Sequence, residues 1–144
     1  MKVLFCWLFF ALFFLPLAAQ EVLYIEYNPK NKDVYFESED QIRFYLHPTI
    51  HASSFIYNKK LNNKKEIYKS EISKKLVTKT KANEKAKAIR EKRSIENEKE
   101  TGIKVPSTWE FLFFNTFGKM YVFVPDSTGE KGILYPVSWR PAIE

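Results

Sequence analysis

From Asn58 to Thr101 the chain contains neither glycine nor proline, and it carries fifteen Lys and Arg against seven Glu. A stretch this charged cannot form the centre of a core, so it must be a surface element. Ala, Lys, Glu and Arg favour helix. Asn63 and Glu66 have capping-box spacing, and Gly102 supplies a C-terminal stop. Leu61, Tyr68, Ile72, Leu76, Ala82, Ala86 and Ile89 fall on one broad stripe at helical period. The stripe is thin: Lys75 and Lys79 interrupt it, and beyond Leu76 it is mostly alanine.

A helix from Asn63 to Glu100 would be about 57 Å long, while a globule formed by the rest of the chain would be about 30 Å across. Such a helix must break or project, and the fading stripe predicts projection. Glu96, Glu98 and Glu100 sit at the wrong end of the helix dipole, which predicts fraying before Gly102.

Both flanks read as β structure. On the N-terminal side, "VLYIEY" at 22–27 and "VYFE" at 34–37 form a hairpin across the turn "NPKNKD". "IRFYLH" at 42–47 alternates, with Ile42, Phe44 and Leu46 on one face, and "SFIY" at 54–57 is a further strand. On the C-terminal side, "WEFLFF" at 109–114 and "MYVFVP" at 120–125 flank a turn with Gly118 at the positive-φ position. "ILYPV" at 133–137 follows, with Pro136 marking an edge. The strands around 109–125 carry large apolar groups on both faces, so that sheet needs cover on both sides. The expected fold class is α+β: a small, mainly antiparallel sheet made by the N- and C-terminal flanks, with a long basic helical insertion at about 60–101.

The first residues, "MKVLFCWLFFALFFLPLAAQ", have the layout of a secretory signal: Lys2, an apolar run, Pro16, then small residues. Cleavage is expected between Ala19 and Gln20, leaving residues 20–144 as a single exported domain, periplasmic or extracellular. The alternative is an uncleaved N-terminal membrane anchor. The one cysteine, Cys6, lies inside the signal, so the exported domain has no disulfide to support it.

Charge is segregated. Outside the signal and the 58–101 segment there are seven basic and ten acidic residues. The basic residues Lys79, Lys81, Lys85, Lys87, Arg90, Lys92 and Arg93 therefore form a candidate contact for a protein partner or an anionic envelope surface. Nucleic acid is disfavoured, because export removes the chain from it and no aromatics are interleaved between Thr78 and Thr101 for base stacking. Tyr135, Trp139 and Arg140 are residue types that anchor interfaces, and they form a candidate aromatic partner edge.

There is no phosphate-binding glycine loop and no nucleophile elbow. His47 and His51 are four apart, but Pro48 breaks the segment, so ordinary strand-end histidines are the expected reading. "ESED" at 37–40 is acidic enough to attract a hard cation, yet acidic turns mostly bind nothing. No metal or cofactor is expected. The resulting expectation is a small exported cell-envelope or secreted binding or structural protein without catalysis. The alternatives are a secreted hydrolase using His47 or His51 with a carboxylate, and an inhibitor or immunity-type protein docking by the aromatic edge.

Overall fold

The computed structural model describes residues 21–31, 33, 35–46, 53–103, 113 and 115–141. The signal segment with Ala19 and Gln20, both histidines and most of "WEFLFF" lie outside the described residues. The chain forms a mixed α+β fold with eight strands: β1 (Val22–Glu26), β2 (Tyr35–Glu37), β3 (Gln41–Tyr45), β4 (Ser54–Asn58), β5 (Lys65–Tyr68), β6 (Leu76–Val77), β7 (Lys119–Pro125) and β8 (Lys131–Arg140). A one-turn helix α1 (Lys69–Ile72) precedes β6, and the long helix α2 (Lys79–Thr101) follows it.

The strand order is β2-β3-β4-β8-β7-β1-β6, with β5 also on β8. β8 belongs to two sub-sheets. Its first part, from Lys131 to Leu134, pairs with β5, and its last part, from Ser138 to Arg140, pairs with β4 on the same edge. Residues 132–137 pair with β7 on the other edge. Pro136 falls in the gap between β5 and β4, where no strand needs its missing N–H. It therefore sits in a central strand, not at the edge its ring predicted.

β1 runs parallel to both β6 and β7. Parallel strands need a crossover, and α2 supplies one between β6 and β7. This connection is why the first half of α2 lies on the sheet instead of projecting. Ala82 and Ala86 are fully buried, and Ile89 packs against the same cluster. Side chains this small let the helix backbone come close to Leu23 and Ile25 of the same cluster.

The helix starts at Lys79, not at Asn63. Asn62 adopts left-handed geometry (φ 45°, ψ 40°) and closes a single 3-10 turn, Lys59–Leu61, so no helix can run through it. Lys65–Tyr68 then pairs with β8 as strand β5, because an available sheet edge outweighs the helix propensity of isolated lysine and glutamate. Thr78 is the working N-cap, its hydroxyl accepting from the Lys81 N–H at 3.2 Å. Gly102 (φ 72°) does end the helix, and its N–H donates to the Glu98 carbonyl at 2.8 Å. The helix is regular up to Thr101, so the fraying expected from Glu96, Glu98 and Glu100 is absent.

Two hairpin expectations change. β2 pairs with β3, not with β1. Ahead of β7, Asn115 takes the positive φ (53°), while Gly118 does not. The core lies between the two sub-sheets and beneath α2. Tyr135 meets Phe44 and Tyr57 at 5.4 and 5.0 Å, and Trp139 meets Phe55 and Phe113 at 4.9 Å each. The alternation read in β3 holds: Ile42, Phe44 and Leu46 are all buried.

Candidate functional site

One face of β1, β7 and β8 carries the core; the opposite face carries a different set. Strand register places Tyr24, Tyr121 and Pro136 in one row across that face, and Glu26, Phe123, Leu134 and Lys65 in the next. Phe123 is fully buried because Gly132 has no side chain; a Cβ there would lie 2.6 Å from the phenyl ring. Tyr24 and Tyr121 remain half-buried, with stacked rings, centroids 5.0 Å apart and planes 13° from parallel. The sheet thus receives full cover on the core face and partial cover on this one.

Lysines surround the tyrosine pair. Lys75 Nζ stands 5.9 Å from the Tyr24 ring centroid, at the end of the row away from Pro136. Lys65 and Asn63 border a groove of about 380 Å³ with Tyr24, Tyr121, Leu134 and Pro136. A second hollow of about 430 Å³ adjoins it through Tyr24, and Glu21, Val22, Lys74, Lys75 and Lys85 also line it. It opens where β6, only two residues long, leaves the start of β1 without a strand on that edge.

Four lysines are held in ion pairs among the described residues. Lys59, Lys60, Lys69 and Lys79 each pair with a carboxylate: Glu37 at 2.5 Å, Asp40 at 3.3 Å, Glu26 at 2.7 Å and Asp33 at 2.5 Å. Lys65, Lys74, Lys75 and Lys85 make no ion pair among the described residues. The "ESED" acids Glu37 and Asp40 are thus neutralised by lysines, and no group of three metal-ligating side chains occurs among the described residues.

The basic residues singled out on the helix separate by role. Lys79 pairs with Asp33 and sits over the Tyr27 ring at 5.1 Å. Arg93 donates to the carbonyls of Asn115 and Thr116 at 2.6 and 3.3 Å, and Arg90 Nε donates to the Thr116 hydroxyl at 3.3 Å. Burial and the neighbouring Arg93 charge lower the Arg90 pKa from its ordinary value. These two arginines clamp the turn before β7. Lys81, Lys87 and Lys92 are exposed on the helix, and Lys85 lines the hollow.

The aromatic edge is not an edge. Tyr135 and Trp139 are each 8% exposed and packed in the core, because β8 turns both rings inward between the sub-sheets. Arg140 alone of that trio is exposed, beside a polar hollow with Asp40, Asn58, Lys60 and Ser138.

Tyr24, Tyr121, Lys65, Lys74 and Lys75 were not singled out from the sequence. Tyr24 and Tyr121 stand ninety-seven positions apart, and only the parallel register brings them together. A weaker signal was present in the paired lysines at 64–65 and 74–75, which flank short elements. Among the described residues, no helix is long and apolar enough to cross a membrane. No protein family, curated protein or solved structure matches this chain.

Proposed function

We propose that this is a small exported envelope or secreted binding protein, without catalysis, that holds an anionic polymer or surface through the lysine-bordered tyrosine face. The signal layout of the first twenty residues supports export. The observation that carries the binding reading is the placement of four lysines around the half-buried tyrosine pair: Lys65, Lys74, Lys75 and Lys85 line its two hollows and make no ion pair among the described residues. Unneutralised cations collected on one surface raise the local concentration of an anion and speed its arrival. α2 contributes through Lys85, and its clamp on the turn keeps the supporting sheet in place.

The test is co-sedimentation of the purified protein with washed anionic envelope material at low and high salt. The reading predicts binding that weakens steeply between about 50 and 200 mM salt, and loss of most of it in K65Q/K74Q/K75Q/K85Q. Salt-independent binding, or full retention in the quadruple variant, contradicts it.

A further inference from the structure

We infer that the hollow at the open end of β1 is a phosphate site, held by Lys74, Lys75 and Lys85. The inference rests on the anion-binding reading above and names the chemistry of the ligand.

Three features support it. First, the three ammonium groups come from two separate elements. Lys74 and Lys75 belong to the turn before β6, and Lys85 belongs to α2. Like charges brought into one concavity repel unless an anion lies among them, and a multiply charged anion relieves more of that repulsion than a single carboxylate. Only one acid, Glu21, lines the same hollow, and it makes no ion pair among the described residues.

Second, the donors are all lysines. A lysine ammonium is a compact point charge with three rotatable donors, and it binds phosphate without the bidentate geometry that an arginine fork imposes. The chain has four arginines, and none lines this hollow. Arg90 and Arg93 serve the turn before β7 instead.

Third, the Tyr24 ring, the aromatic that lines this hollow, is not free to recognise a ring. Tyr24 and Tyr121 lie against each other, and Lys75 stands over Tyr24. What remains for a ligand is hydroxyl groups, ring edges and ammonium charge. Those groups recognise oxyanions; stacking on a base or a sugar needs an open aromatic face. The ligand is therefore read through its phosphate groups, and the rest of it is unconstrained by this hollow.

The experiment is calorimetric titration of the purified protein with linear polyphosphate, with polygalacturonate at equal charge concentration, and with vesicles containing phosphatidylglycerol. Polyphosphate is expected to bind about tenfold or more tightly than polygalacturonate, and K74Q/K75Q/K85Q to lose about tenfold or more of that affinity. The matched variant K30Q/K92Q/K99Q removes the same charge from exposed lysines that do not line the hollow and is expected to stay within about twofold of the unmodified protein. Vesicle binding that disappears in K74Q/K75Q/K85Q supports the site with a lipid headgroup as the source. Binding to polyphosphate but not vesicles supports it with a soluble phosphate polymer. Equal affinity for polyphosphate and polygalacturonate overturns the phosphate assignment and leaves general anion binding standing. Equal loss in the two triple variants overturns the hollow as the site. Absence of binding to any of the three anions overturns both this inference and the binding reading beneath it.

Discussion

Tyr24 of β1 and Tyr121 of β7 stand opposite each other in parallel register, rings stacked at 5.0 Å on the face turned away from the core. The contact joins two strands that are ninety-seven positions apart and would otherwise be held only by the backbone ladder and the core face. An aromatic pair of this kind is worth about 0.5–1.5 kcal/mol beyond the area it buries. A double-mutant cycle with Y24A and Y121A, read by urea unfolding, should give a coupling energy in that range. A coupling near zero would make the stack a consequence of register that contributes nothing to it.

Gly132 tolerates no side chain. A Cβ would meet the Phe123 ring at 2.6 Å and also crowd the Val124 carbonyl. Phe123 is fully buried and cannot swing away without disturbing β7 and β8. G132A should therefore destabilise the protein by about 1–3 kcal/mol. Gly129 (φ 78°) faces open space, so G129A strains only the backbone, costing about 1 kcal/mol. Thermal unfolding of the two variants should rank them in that order.

Arg93 donates to two successive carbonyls of the turn that holds Asn115 in left-handed geometry. Lysine keeps the charge but cannot offer the fork. R93K should cost about 1 kcal/mol, since the site is partly exposed, and should speed amide hydrogen exchange at residues 115–118 before it does so elsewhere.

The Tyr27 hydroxyl donates to the Tyr45 carbonyl, and its pKa is pushed up from the ordinary value of 10, first by burial and then by the Asp33 carboxylate. Burial, followed by the nearby Glu37, raises Tyr135 as well. Both phenols stay protonated in the folded chain at a pH where the unfolded chain has released its protons. Stability is then constant below about pH 10 and falls above it, by about 1.4 kcal/mol per pH unit for Tyr27, with Tyr135 adding to the decline in the same direction. Y27F should lower stability at pH 7 by about 1 kcal/mol through the lost hydrogen bond, yet show a shallower alkaline decline. Urea midpoints measured from pH 7 to pH 11 check both signs.

The strands were legible where local pattern carries the information. β3 alternates because one face is buried, and the burial of Ile42, Phe44 and Leu46 follows from that. The charged segment misled for two reasons. Its composition favours helix throughout, but Asn62 breaks the chain before Asn63, and the edge of β8 draws Lys65–Tyr68 into a strand. Its apolar stripe also seemed to end at Ile89, which suggested a projecting helix. The docked face in fact continues through Arg90 and Arg93, whose guanidinium groups contact backbone carbonyls where apolar groups were sought. At about 34 Å, α2 is roughly twice the length of β1, so its last turns do run past the strand, with Ile95 exposed. Trp139 looked like an anchor for a partner because side-chain type alone cannot distinguish an interface ring from a core ring. The tyrosine–lysine face was hidden for a related reason: its members come from five separate stretches, and only the fold brings them together.

Amide hydrogen exchange of the protein, alone and saturated with linear polyphosphate, tests the binding account most directly. The account predicts slowed exchange at residues 21–24 and 73–77, the segments that form the lysine-lined hollow, with no change along residues 94–103 at the end of α2. Protection confined to residues 94–103, or spread evenly along the chain, would contradict it.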